Sequence, residues 1–135
     1  MWPASRRSES TCTTLPAMSL TALPELASRH AAGGVRIPPG VTVPLTPRVR
    51  RLLDSPPLRR LAAVRQLGLV ALVYPGAVHS RLEHSLRVYR LALDFLTSLQ
   101  ADERFSQQIS CDDAAAFLVA ALVHDVGHWP YCHPI

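Results

Sequence analysis

Histidine and aspartate concentrate in two places along this chain. "HSRLEHSLRVY" runs from His79 to Tyr89 and "HDVGHWPYCH" from His124 to His133, so five of the six histidines fall in two clusters. A lone buried histidine at a helix C-terminus is satisfied by the macrodipole and a backbone carbonyl. The adjacent pair His124-Asp125 is different, because an imidazole and a carboxylate buried side by side need a partner or a cation to offset their desolvation. His84, taken alone, reads as a core histidine. With His124 and Asp125 it completes a set of two imidazoles and a carboxylate suited to a divalent ion such as Mn, Fe, Ni, Zn, Co or Mg. An ion of this kind with an open position brings the pKa of the water it holds toward neutrality and so supplies hydroxide.

Two helices must bring these residues together. Ser80-Arg81-Leu82-Glu83 has the S-x-x-E form of a capping box, which predicts a helix from Ser80 through Leu99 with Glu83 reaching back to the cap. Leu82, Leu86, Tyr89, Leu93 and Leu96, with Val88, Leu91 and Phe95, occupy most of its surface, so it is expected to be largely buried apart from a polar stripe of Glu83, Arg87, Arg90, Asp94 and Thr97. Residues 101–109 read as a polar connection. Ser110, Asp112 and Asp113 then cap a last helix through "AAAFLVAALVHDV", closed by Gly127 and Pro130, whose apolar run leaves it no solvent face.

Upstream, Thr46-Pro47 opens a short helix with Val49, Leu52 and Leu53 on one face, and Pro57 to Gly68 carries Leu58, Leu61, Val64 and Leu67 at helical spacing. Val35, Ile37, Val41 and Val43 around Pro38-Pro39-Gly40 predict a small β-hairpin or two extended pieces on the domain edge. Residues 1–34, rich in Ser, Thr, Ala and Pro, are expected to be a disordered tail before a single domain over 35–135.

All fourteen basic residues are arginine, and six of them lie between Arg48 and Arg65 against one acid, Asp54. That segment is either a solvated helix face or a surface for nucleic acid. The longest apolar runs fall well short of the roughly 20 residues that cross a membrane, so no membrane association is expected. Three cysteines, Cys12, Cys111 and Cys132, suggest neither a disulfide framework nor a metal knuckle, and fit a cytoplasmic setting.

The spacing of His84 and His124-Asp125, with "RQLGLVALVYPGAVHSRLEHSLRVYRLA" and "LVHDVGHWPYCHPI" around them, resembles the HD-domain metal-dependent phosphohydrolases, in particular their deoxynucleoside triphosphate triphosphohydrolase branch. The resemblance implies an all-α HD-domain helical bundle, present here as its N-terminal part, with a short hairpin at its start. It implies metal ligation by His84, His124 and Asp125, the last able to bridge two ions, and a phosphate contact at Arg81. His128 and His133 would line the phosphate path, one as general acid toward the leaving oxygen. Gln66 and Leu67 match the family's "QLG", set against the sugar, although Gln66 reads equally well as capping a helix end. The implied partners are a nucleotide or other phosphate ester and a homo-oligomer.

Several positions depart from that family. Arg87 stands at a usual glycine on the polar stripe, and Trp129 replaces a glycine where it could narrow a pocket mouth or stack on a base. The acidic residue after "HPI", the remaining helices and a distant fourth-ligand aspartate are not in the sequence, which predicts weak metal binding and little turnover unless another chain supplies a carboxylate. Two other readings compete. "HDVGH" is similar to the HExxH of zinc peptidases, but Gly127 and Pro130 end the helix around His128. Alternatively, an inactive HD scaffold would bind nucleic acid or a partner through the arginine-rich segment. His79 precedes the cap and is expected to have no role.

Overall fold

Helices dominate the computed structural model, which describes residues 20–28 and 33–130. A 3₁₀ turn at Leu20–Ala22 leads to α1 (Pro24–Ala27), and β1 (Gly34–Ile37) then pairs antiparallel with β2 (Val41–Pro44). After the hairpin come α2 (Pro47–Leu53), α3 (Pro56–Leu61), a 3₁₀ segment at Gly68–Leu72, α4 (Arg81–Leu99), α5 (Glu103–Gln108) and α6 (Cys111–Val123). The mostly helical chain with one edge hairpin is the architecture its periodicities predict.

Local chemistry accounts for the boundaries. In the hairpin Val35 faces Val43 and Ile37 faces Val41, and at Gly34 the strands approach so closely that a Cβ would strike the Val43 carbonyl. Thr46 caps α2 by accepting the Val49 N–H at 3.3 Å, ahead of Pro47 in the first turn. Ser80 caps α4 through the Glu83 N–H at 3.1 Å. The second half of the expected box is not made there, because the Glu83 carboxylate pairs with Arg87, one turn on, at 2.9 Å. The reciprocal box is complete at α6: the Ser110 hydroxyl accepts the Asp113 N–H and the Asp113 carboxylate accepts the Ser110 N–H, each at 3.1 Å. Residues expected to form only a polar connection contain α5, started by Asp102, whose Oδ1 accepts the N–H groups of Arg104 and Phe105.

α4 and α6 lie alongside each other over the core. Val43, Leu61, Leu93 and Leu122 are completely shielded, with Leu58, Leu96 and Leu118 nearly so, and each such side chain contributes about 1.5–3 kcal/mol relative to exposure. The polar stripe of α4 abuts the hairpin: Arg87 donates to the Pro38 carbonyl and Arg90 donates to Thr42 O at 2.9 Å.

Three expectations are corrected. Residues 20–28 of the expected tail are folded, with Leu20 and Leu23 in the core and the Glu25 carboxylate buried against the Thr46 hydroxyl (2.7 Å) and the Arg48 guanidinium. Gly34 belongs to β1; residues 1–19 and 29–32 of that tail lie outside the described residues. The partners of Glu25 are more than 20 residues away, which no local composition reveals. α6 is not buried all round, and α4 is exposed beyond its polar stripe: Leu91 is 69 % exposed, Phe95 53 %, Phe117 43 % and Val119 43 %. In α6 only Ala114, Leu118 and Leu122 are fully buried, with Ala115, Ala121 and Val123 packed at the edge of the core, and an all-apolar sequence conceals that one-sidedness. The Phe95 and Phe117 rings meet at 6.3 Å on the uncovered side. No helix among the described residues is long and apolar enough to cross a membrane.

Candidate metal centre

The first turn of α4 and the turn leaving α6 converge on one corner of the fold. The start of α4 is pinned to the segment after α3, since the Arg81 N–H donates to Val64 O at 2.8 Å and the Gln66 N–H to His79 O at 3.0 Å, around an antiparallel bridge between Arg65 and Ser80. α6 ends at Val123, with His124 as its helical C-cap and Asp125 in the following turn. One potential ligand atom from each of His84, His124 and Asp125 lies within 4.8 Å of the others. The two imidazoles meet edge to face with centroids 5.3 Å apart.

Hydrogen bonds fix which nitrogens are available. His124 Nδ1 is 3.0 Å from Ala121 O; a carbonyl only accepts, so Nδ1 carries the hydrogen and Nε2 keeps its lone pair. That Nε2 is 3.4 Å from Asp125 Oδ1. His128 Nδ1 lies 2.6 Å from the same oxygen and 3.2 Å from Arg81 Nη1. The carboxylate contact is the shorter and requires a donor, so His128 donates Nδ1–H to Asp125 and the guanidinium packs beside the ring. Arg81 Nη1 in turn donates to Asp125 Oδ2 at 3.1 Å, with the two side chains 1 % and 3 % exposed.

Burial pushes the Asp125 carboxyl up, but His124, the His128 hydrogen bond and Arg81 outweigh it and leave the group below the ordinary carboxylate range. Burial holds His84 below the usual imidazole value, with His124, His79 and Arg81 acting in the same direction against Asp125. Both shifts favour the forms that ligate a cation, carboxylate and neutral imidazole. The donor set therefore fits a divalent ion: two nitrogens and an anionic oxygen converge, and a carboxylate oxygen that already accepts one hydrogen bond retains a lone pair.

His84, His124, Asp125, Arg81 and His128 are thus brought together. Arg81, expected at a phosphate, directs its guanidinium at Asp125 instead of at solvent. Gln66 lies in the turn after α3, facing the start of α4 rather than ending a helix, and its Oε1 is buried with no hydrogen-bond partner among the described residues. Leu67 is exposed beside it, ahead of Gly68 in the left-handed region at φ +53°. Trp129 is exposed, His79 is half-buried, and His133 lies outside the described residues. Sequence reasoning missed Arg60, whose Nη2 donates to Val126 O at 2.8 Å and to His128 O at 3.1 Å. Its neighbours are some 66 positions downstream, so no spacing signals the contact.

No protein-family model matches the chain. Among curated proteins, deoxynucleoside triphosphate triphosphohydrolase SAMHD1 of Mus musculus is 41 % identical over 87 residues, 64 % of this chain and 13 % of that protein. The protein of that name from Homo sapiens is 40 % identical over 91 residues, 67 % of this chain and 14 % of its own length. Over about two thirds of its length this chain is a homologue of these triphosphohydrolases. An uncharacterized protein of Methanocaldococcus jannaschii is 36 % identical over 84 residues, 62 % of this chain and 16 % of that protein. The crystal structure of a hypothetical protein from Aquifex aeolicus shares 39 % identity at a TM-score of 0.57, covering 68 % of this chain and 22 % of that one. The chain thus spans only about a seventh of the curated triphosphohydrolases it matches.

Proposed function

We propose that this chain carries the metal- and phosphate-binding corner of an HD-type phosphohydrolase acting on deoxynucleoside triphosphates. The observation that carries the proposal is the convergence of His84, His124 and Asp125 from two packed helices, in a chain of which about two thirds is homologous to triphosphohydrolases. His84, His124 Nε2 and Asp125 would hold a divalent ion, which when bound supplies Lewis acidity toward a phosphoryl oxygen.

The other residues act around that corner. His124, His128 and Arg81 together keep Asp125 ionised, and Arg81 holds its Oδ2. His128, oriented through its Nδ1–H on Asp125, has Nε2 as the atom that would pass a proton to the leaving oxygen. His133 would hold a phosphate. Gln66 Oε1, buried without a partner among the described residues, would accept a hydrogen bond from a sugar 3′-hydroxyl, and Leu67 beside it disfavours a 2′-hydroxyl. Two observations weigh against the rival readings. His128 is engaged with Asp125 and lies outside the converging ligand set, unlike the second histidine of a zinc-peptidase motif. In the arginine-rich segment, Arg48, Arg59 and Arg60 are bound to Glu25, Asp54 and backbone carbonyls, which leaves only the exposed Arg50, Arg51 and Arg65 for a cationic face.

The test is manganese-dependent binding of a panel of deoxynucleoside triphosphates, with released triphosphate measured alongside, in the wild type and Asp125→Ala. The proposal expects both signals to depend on manganese and on Asp125. Equal manganese-dependent nucleotide binding in the two proteins would remove it, and salt-sensitive binding of nucleic acid that survives His124→Ala would favour the scaffold reading instead.

A further inference from the structure

We infer that Arg60 is a positioning residue for the metal corner: from α3 it braces the turn that carries Asp125 and His128. The inference rests on the metal site proposed above. The chain leaves α6 at Val123, and the turn beyond has two short-range backbone hydrogen bonds, Val126 N–H to Val123 O at 2.9 Å and His128 N–H to Asp125 O at 3.1 Å. Gly127, in the middle, has open space where a side chain would be, so beyond Val126, which packs against the core, no side chain at Gly127 holds the backbone. The Val126 and His128 carbonyls flank this glycine, and a single Arg60 nitrogen donates to both.

The brace is anchored where it begins. Leu58 and Leu61, on either side of Arg60 in α3, are 2 % and 0 % exposed, which fixes the base of the side chain to the core while the guanidinium reaches across the surface. A charged donor bonded to two carbonyls is stronger than the neutral bonds within the turn. At the other end of the turn, His128 reaches Asp125 Oδ1 and Arg81 reaches Asp125 Oδ2. Arg60 fixes the backbone from outside and Arg81 fixes the carboxylate from inside, so the ligand oxygen has a defined position before any ion arrives. Groups that orient metal ligands without touching the ion commonly change affinity by about 10–100-fold when removed.

The test is a manganese titration of the whole chain followed by electron paramagnetic resonance of free Mn²⁺, on the wild type, Arg60→Ala, Arg60→Lys and Arg59→Ala. Arg59, next in sequence, pairs with Asp54 on the exposed surface and serves as the control. Arg60→Ala is expected to weaken manganese binding about 10-fold, Arg60→Lys less, and Arg59→Ala not at all, with millimolar methylguanidinium restoring affinity to Arg60→Ala alone. Amide exchange of Val126 and His128 should quicken in Arg60→Ala while the middle of α4 is unchanged. Equal manganese affinity in the wild type and Arg60→Ala would overturn the inference, even if exchange quickens, because Arg60 would then brace only the fold. A wild type that binds no manganese would defeat the metal site itself, and this inference with it.

Discussion

Arg81 Nη1 lies 3.1 Å from Asp125 Oδ2 in an ion pair closed off from solvent on both sides. Forming such a pair gains little net stability, because desolvation of both charges opposes their attraction, but removing one partner strands the other. Arg81→Ala is therefore expected to cost about 3–5 kcal/mol, read from the urea midpoint. Arg81→Lys keeps the charge and loses the planar fork, and should fall between that variant and the wild type. An Arg81→Ala protein as stable as the wild type would show that Asp125 does not depend on the pair.

Glu25 gives a second test, through pH. Burial raises its pKa, but hydrogen bonds from Arg48 and Thr46 overcome that and leave the folded value below the ordinary carboxylate value of 4.5. A group depressed on folding stabilises the protein fully above its unfolded pKa, and that contribution disappears as the pH falls through the folded value. Urea stability should thus decline from about pH 5 downward, and the decline should be shallower in Glu25→Gln. The pair is asymmetric, with Glu25 2 % exposed and Arg48 47 %. Arg48→Ala, which strands a buried carboxylate, should therefore destabilise more than Glu25→Gln, which leaves a guanidinium already in reach of water. The opposite order would contradict this description of the N-terminal packing.

The uncovered faces of α4 and α6 form an apolar groove of about 930 Å³ lined by Val88, Leu91, Phe95, Phe117 and His124, among others. Contiguous apolar surface of this kind binds hydrophobic dyes. Phe95→Ser with Leu91→Ser should sharply reduce fluorescence of anilinonaphthalene sulfonate while shifting stability by less than about 1 kcal/mol, as expected of exposed sites. A large loss of stability would mean that these side chains support the fold.

Much of this organisation is legible in sequence because it is local. Ser80, Ser110 and Thr46 mark their helix starts through bonds to residues three positions on, and the hairpin follows from alternation around Pro38-Pro39-Gly40. The pairing of His84 with His124-Asp125 is readable as chemistry, since the donor types match before their distance is known. What the sequence hides depends on tertiary geometry. Leu91 and Phe117 look like core because apolar residues cover nearly every face of their helices, and only packing distinguishes the inward set. Glu25 and Arg60 look like surface charges, yet their partners lie 21 to 68 positions away. A phosphate contact at Arg81 is what the family resemblance implies; its bond to Asp125 is visible only once α4 and α6 are packed.

The most direct measurement is a manganese binding isotherm for this chain beside His84→Ala and His124→Ala. His84 is half-buried and His124 exposed, so neither change leaves a charge stranded in the core. The metal-corner account predicts one saturable manganese site in the wild type, with affinity lowered at least about 10-fold in each variant. Identical isotherms in all three proteins, or no saturable binding in the wild type, would contradict it.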